Sequence, residues 1–152
     1  MPGRKPAPSL DREAISNYFA QQDDVVVAYL FGSLARGEAD SASDVDIAVL
    51  LETSLDPEMA LERCLELVGK IEQFSDGEIQ VTLLNEAAPL LAFQVVRDGV
   101  LLFERSQENR IAFQVLTMKR YFDVQPMLAF FNQALIRRIK EEGLGRRKRN
   151  SE

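Results

Sequence analysis

Two apolar runs constrain this chain more than any other feature. Val25 to Phe31 is apolar without a break, and Val45 to Leu51 is interrupted only by Asp46. β-branched and aromatic residues are prominent in both runs, and strands that read this way are covered on both faces. A chain of 152 residues can bury roughly 70% of the surface its unfolded form exposes, enough for one such core. The joining segment, Gly32 to Asp44, is small and polar, so it is the first place to look for chemistry.

Periodicity predicts the elements around these strands. Residues 1–8, with Pro2, Gly3, Pro6 and Pro8, read as a disordered leader. A helix runs from Ser9 to about Gln22, capped by Ser9 or Asp11. Asp56 caps a second helix, which has Pro57 at its first position and runs to about Phe74, with Leu61, Leu65, Val68 and Ile71 as its inner stripe. A turn at Ser75 to Gly77 leads to a third strand, Ile79 to Leu84. A short helix from Pro89 to Arg97, closed by Gly99, precedes a strand at Val100 to Glu104. From Gln107 to Glu142, residues such as Ile111, Val115, Met118, Tyr121, Phe122, Leu128, Phe131, Leu135 and Ile139 recur at helical spacing. Pro126 is expected to start a new helix there or to kink this one, and Gly143 and Gly145 to end it. The reading is an α/β fold: one domain over 9–142 with a small sheet, a long C-terminal helical region and a basic flexible tail at 143–152.

Composition removes several chemistries. The chain has no histidine, which excludes His-ligated zinc or haem, Ser-His-Asp hydrolysis and imidazole acid–base catalysis. Cys64 is its only cysteine, so no internal disulfide forms, and its place within a helix, without a histidine or a nearby cationic cluster, favours packing over nucleophilic work. No apolar stretch suits a signal peptide or reaches the ~20 residues of a membrane span, so a cytoplasmic protein is expected. Net charge is -6, but residues 137–152 are basic, so the acidity lies in the remainder of the chain. An acidic body argues against direct nucleic-acid binding, and the basic end reads as a solvated terminus. Tyr121, Phe122, Phe130 and Phe131 could stack on nucleobases, but at helical spacing they suit a core or a partner interface better.

The chemical signal is Gly32-Ser33, ten residues, then Asp44-Val45-Asp46. Residues i and i+2 of a strand share a face, about 6.5–7 Å apart, so Asp44 and Asp46 project together from one edge of a rigid sheet. Two such charges beside apolar strands repel and lose hydration unless a cation lies between them. Mg²⁺ suits them, since it takes one or two carboxylates and completes its octahedron with water and substrate phosphate. Gly32 lets the backbone approach an anion, the Ser33 hydroxyl can donate to it, and a helical turn at Leu34 to Gly37 would aim free amides the same way. Arg36 can neutralise phosphate charge.

At these residues the chain resembles the nucleotidyltransferase superfamily that includes DNA polymerase beta and kanamycin nucleotidyltransferase. More narrowly, it looks like the minimal nucleotidyltransferases, the MntA-type antitoxins encoded beside a HEPN-domain ribonuclease toxin. The likeness runs from about Ala28 to Glu142, through Phe31-Gly-Ser-Leu-Ala-Arg-Gly37, Ser43-Asp-Val-Asp-Ile-Ala-Val-Leu50, Leu84-Asn-Glu-Ala87 and Asp98-Gly-Val-Leu-Leu-Phe103. It implies a nucleotidyltransferase fold, a small mixed sheet flanked by helices, and Mg²⁺-dependent transfer of AMP from ATP to a tyrosine hydroxyl of the toxin. It further implies that Gly32 and Ser33 hold the triphosphate, with Arg36 beside them as the nucleotide-binding cation read from the loop itself, while Asp44 and Asp46 bind the metal and act in catalysis.

One departure bears on activity. Active members of that family place a third carboxylate on the next strand, whereas this chain has Gln80 there and Leu83 at a second acidic position. A neutral amide can ligate a metal but cannot accept a proton, and losing a positioned base typically costs about 10²–10⁴-fold in rate. Glu78, two residues earlier on the same strand face, is a substitute catalytic candidate; its bland alternative is a solvated glutamate at a strand start. The alternative function is therefore a degenerate transferase that neutralises the toxin by binding alone. A small-molecule transferase fits less well, because little chain remains for an acceptor pocket unless a homo-oligomer supplies one.

Overall fold

The computed structural model describes residues 6–149, with side chains as far as Gly143. Its elements, in order, are α1 (Arg12–Ala20), β1 (Val25–Phe31), α2 (Gly32–Ala35), β2 (Val45–Leu51), α3 (Pro57–Ile71), β3 (Ile79–Leu83), α4 (Pro89–Asp98), β4 (Val100–Glu104) and α5 (Gln107–Arg149). The sheet order is β3-β2-β1-β4, with β1 antiparallel to both β2 and β4, and β2 parallel to β3. The two apolar runs are thus the two central strands of a mixed sheet.

Both faces of that sheet are covered. On one, Ile15 and Phe19 of α1 and Leu67 and Ile71 of α3 pack on Leu30, Ile47 and Val49. On the other, Ala92 and Val95 of α4, with Phe113 of α5 beside them, pack on Val27, Tyr29 and Ala48. Strand alternation puts Asp46 on this second face, in phase with Ala48. Asp11 caps α1 by accepting from Ala14 N (3.1 Å), and Asp56 caps α3 by accepting from Met59 N (2.9 Å), with Pro57 behind it. The Arg105 guanidinium donates to the carbonyls of Val25 (2.9 Å), Phe19 (3.1 Å) and Gln22 (2.8 Å), fastening the end of α1 to the sheet.

The structure differs from the sequence reading in five places. The inner face of α3 is Leu67 and Ile71, with Ala60 and Cys64 half-buried above them, while Leu61 and Leu65 are each 62% exposed. Two seams with three- and four-residue spacing coexist on that helix, and the one carrying the smaller residues Ala60 and Cys64 is the more buried. The strand after the turn ends at Leu83, because Leu84 to Glu86 tighten into a 3₁₀ turn, as Glu72 to Phe74 do after α3. Asn85 then closes the end of β2, accepting from Leu51 N (2.8 Å) and donating to Leu51 O (2.9 Å) as a strand neighbour would. The leader expectation falls partly on residues 1–5, outside the described residues, but Pro8 lies against Gly77, and Ser9 N donates to Asp76 (2.7 Å).

The fifth difference is α5, which is one helix through Pro126, Gly143 and Gly145 to Arg149. Residues 150–152 of the expected tail lie outside the described residues. At 1.5 Å per residue such a helix is about 65 Å long, more than twice the width of a small domain. Its first half packs on α4 and β1 through Phe113, Gln114, Thr117 and Tyr121, not through Ile111, Val115 and Met118. Phe122, Phe130, Phe131, Leu135 and Ile139 are exposed, so the core role offered for these aromatics is lost.

These faces predict that Leu67→Ala costs about 2–5 kcal/mol in urea unfolding, whereas Leu61→Ala stays within about 0.5 kcal/mol. Equal losses would mean that α3 presents a different face to the sheet.

Candidate active site

The register of β1 on β2 builds the site. Phe31 pairs with Asp46, so the residue after Phe31 must turn directly beneath the Asp46 carboxylate. Gly32 does so with φ of 74°, a left-handed conformation that side chains disfavour. A Cβ there would lie 2.3 Å from Asp46 Oδ2, so the bare glycine is what allows carboxylate and turn to touch. Gly32 to Ala35 then form the single turn α2, whose first amides have no acceptor within the helix and no side-chain cap from Phe31.

Asp44 immediately precedes β2, and Asp46 is its second residue; both are half-buried. Burial pushes the Asp46 carboxyl above the ordinary carboxylate range, and the negative charge of Asp44 adds to the rise. Arg36 opposes it, but the Arg36 Nε donates to Glu38 Oε2 (3.1 Å), on the far side of the turn. The two aspartates thus form an anionic pair whose nearest cation is engaged elsewhere. Gln80 sits opposite Asp46 in the parallel β2–β3 ladder, and its Nε2 donates to Asp44 Oδ2 (2.9 Å).

All the residues singled out in the sequence fall on one end of the sheet, with different outcomes. Gly32, Asp46, Asp44 and Gln80 come together. Ser33 lies in the first turn of α2, and Arg36 closes it. Glu78 borders an open cleft of about 380 Å³ with Ser43, Asp44 and Gly77, and its carbonyl accepts from Val45 N (2.8 Å). Among the described residues no group of three carboxylates could hold a metal, so Glu78 does not complete a cluster with Asp44 and Asp46.

Two residues, Asp40 and the Asn85 of the Leu84-Asn-Glu-Ala87 stretch, have supporting roles that went unnoticed in the sequence. Asp40 shapes the loop before Asp44: its Oδ1 accepts from Ala42 N (2.9 Å), and its own N–H donates to Ser43 Oγ (2.9 Å). The run Asp40-Ser-Ala-Ser43 carries that turn signal. Asn85, which holds the far end of β2, had no signal short of the strand register.

This arrangement, two strand-borne carboxylates against a glycine turn that opens a helix, coincides with a family assignment. The family described as polymerase beta, nucleotidyltransferase matches residues 13–108. The chain belongs to that family. The nucleotidyltransferase match spans every residue of the site and stops at the first turn of α5. The protein adenylyltransferase MntA of Shewanella oneidensis is 35% identical over 97 residues, covering 64% of this chain and 66% of that protein. A solved structure of a toxin-antitoxin with AMP-PNP superposes with a TM-score of 0.65 at 27% identity, over 83% of this chain and 99% of that one. A second, of the tri-AMPylated S. oneidensis HEPN toxin in complex with MNT antitoxin, superposes with a TM-score of 0.60 at 25% identity, over 82% and 98%.

Native Asp46 holds its proton more tightly than the unfolded chain does. Its charge therefore costs this nucleotidyltransferase stability above the native pKa, and the cost vanishes as pH falls below the ordinary carboxylate value. Asp46→Asn is expected to raise the Tm of the metal-free protein at neutral pH, with the gain gone in acid; Gly32→Ala is expected to cost about 1–3 kcal/mol. Scanning calorimetry across pH checks both, and an Asp46→Asn protein less stable than its parent at neutral pH contradicts the assignment.

Proposed function

We propose that this chain is an antitoxin-type protein adenylyltransferase that moves AMP from ATP onto a tyrosine hydroxyl of a cognate HEPN-domain toxin. The observation that carries the reading is the apposition of Gly32 and Asp46, which sets the glycine turn directly against a carboxylate pair. Similarity to the S. oneidensis adenylyltransferase and to the AMP-PNP and AMPylated-toxin complexes supports both the nucleotide and the protein acceptor. Among the described residues no helix is long and apolar enough to cross a membrane, and a cytosolic setting, where ATP is supplied, goes with this reading.

Asp44 and Asp46 suit magnesium: hard oxygens, partly desolvated, and mutually repelling until a cation joins them. Bound there, Mg²⁺ would supply positive charge to the triphosphate and the incoming oxygen. Gly32, Ser33 and the first amides of α2 receive phosphate oxygens. Arg36 adds a cation at little cost, since its exposed pair with Glu38 is worth no more than about 1 kcal/mol. In the transfer, the tyrosine oxygen bonds to the α-phosphorus, the bond to the bridging oxygen breaks, and pyrophosphate leaves. The hydroxyl proton departs into the open cleft beside Asp44, because among the described residues no third carboxylate joins Asp44 and Asp46. Most of the rate comes from positioning and charge, which strand-fixed carboxylates provide.

A second reading, neutralisation by binding alone, is favoured by Gln80 and by the exposed second half of α5, where Phe130 is 67% exposed beside Phe131 and Leu135. A face that apolar calls for a protein partner under either reading. Incubation with ATP labelled at the α-phosphate, Mg²⁺ and the toxin is expected to label the toxin, and Asp44→Asn with Asp46→Asn to abolish both labelling and growth rescue. Rescue retained without labelling would establish the binding reading instead. Phe131→Glu is expected to weaken toxin binding at least tenfold in calorimetry with Tm unchanged; unaltered affinity would place the toxin elsewhere.

A further inference from the structure

Gln80, exposed on the edge strand β3, borders the candidate site without being able to do what its neighbours do. Its amide cannot take a proton, yet it is bonded to a carboxylate that faces a second carboxylate. Asp44, when ionised, is an acceptor only, so the Nε2 side of the amide must face it. Parallel pairing with β2 supplies the register, setting the Gln80 backbone beside Asp46 while the side chain reaches back to Asp44. One side chain therefore spans the two-residue offset between the aspartates.

We propose that Gln80 is a positioning residue that sets the metal affinity of the site. Donation to Oδ2 fixes the Asp44 carboxylate in the metal-free protein. A carboxylate in its place would put a third negative charge within hydrogen-bonding distance of the first, at the strand position that pairs with Asp46. The amide thus trades cation attraction for a site assembled before any cation arrives. The nucleotide's own phosphates must then supply more of the metal's ligands. This inference rests on the nucleotidyltransferase reading and refines it: Asp44 and Asp46 hold the cation, and Gln80 holds Asp44.

The test uses the full chain and Mn²⁺ as the probe, with free Mn²⁺ read by electron paramagnetic resonance. Gln80→Ala is expected to weaken Mn²⁺ binding about tenfold with an unchanged circular dichroism spectrum, as losing a hydrogen bond to a metal ligand typically does. Gln80→Glu, of the same shape, is expected to lower the Tm of the metal-free protein and to enlarge the Mn²⁺-induced rise in Tm beyond the wild-type value. Wild-type affinity in Gln80→Ala, or an unchanged Mn²⁺-induced rise in Gln80→Glu, overturns the role of Gln80 alone. A wild-type chain with no Mn²⁺ site that Asp44→Asn and Asp46→Asn remove overturns the nucleotidyltransferase reading, and this inference with it.

Discussion

The contact between the bare Cα of Gly32 and the Asp46 carboxylate is the constraint around which the rest is arranged. It exists only while β1 and β2 pair with Phe31 opposite Asp46. A one-residue slip would turn Asp46 toward the Ile47 side of the sheet, into the layer made by α1 and α3. The apolar residues that fill both faces therefore do more than stabilise: their burial locks the register that sets carboxylate against turn. Function and core share one determinant, and the only left-handed residues it needs among those described are Gly32, which opens the turn, and Gly37, which closes it.

Around that contact the charges are left deliberately uncompensated. Most carboxylates at the periphery have partners or solvent; Asp24, for instance, is held by Arg63 (2.7 Å). Asp44 and Asp46 face each other, with an amide where a cation could have been, and the nearest guanidinium, Arg36, turns to Glu38. A protein built only for stability would replace one of them. Retaining both keeps two carboxylates close together at the edge of the sheet, where burial first and mutual repulsion second raise the proton affinity of Asp46. Beyond the site, α5 carries the opposite imbalance, with Phe130, Phe131, Leu135 and Ile139 exposed along its second half.

Much of this was legible in the chain itself, for reasons that differ by element. The two central strands announced themselves because burial on both faces leaves no alternation to misread, and Asp44 and Asp46 stood out as charges beside that apolar background. Asp11, Asp56 and Pro57 gave helix starts through local hydrogen bonding alone. The inner face of α3 was not legible, since Leu61-Leu65 and Ala60-Cys64 satisfy the same spacing and only contact with the sheet chooses between them. Nor was the end of α5, where Gly143 and Gly145 favour termination locally but the helix continues. The bond from Gln80 to Asp44 lay furthest from view: it depends on a parallel pairing between segments more than thirty residues apart.

The central claim, that Asp44 and Asp46 grip a divalent cation against the Gly32 turn, is tested most directly by paramagnetic broadening. In ¹⁵N-resolved spectra of the chain with a non-hydrolysable ATP analogue, substoichiometric Mn²⁺ should first erase the amide signals of Gly32, Ser33, Asp44, Val45, Asp46 and Gln80. Signals from α3 and from the far end of α5 should persist. Broadening spread evenly over acidic residues elsewhere, with these six left sharp, would contradict the account.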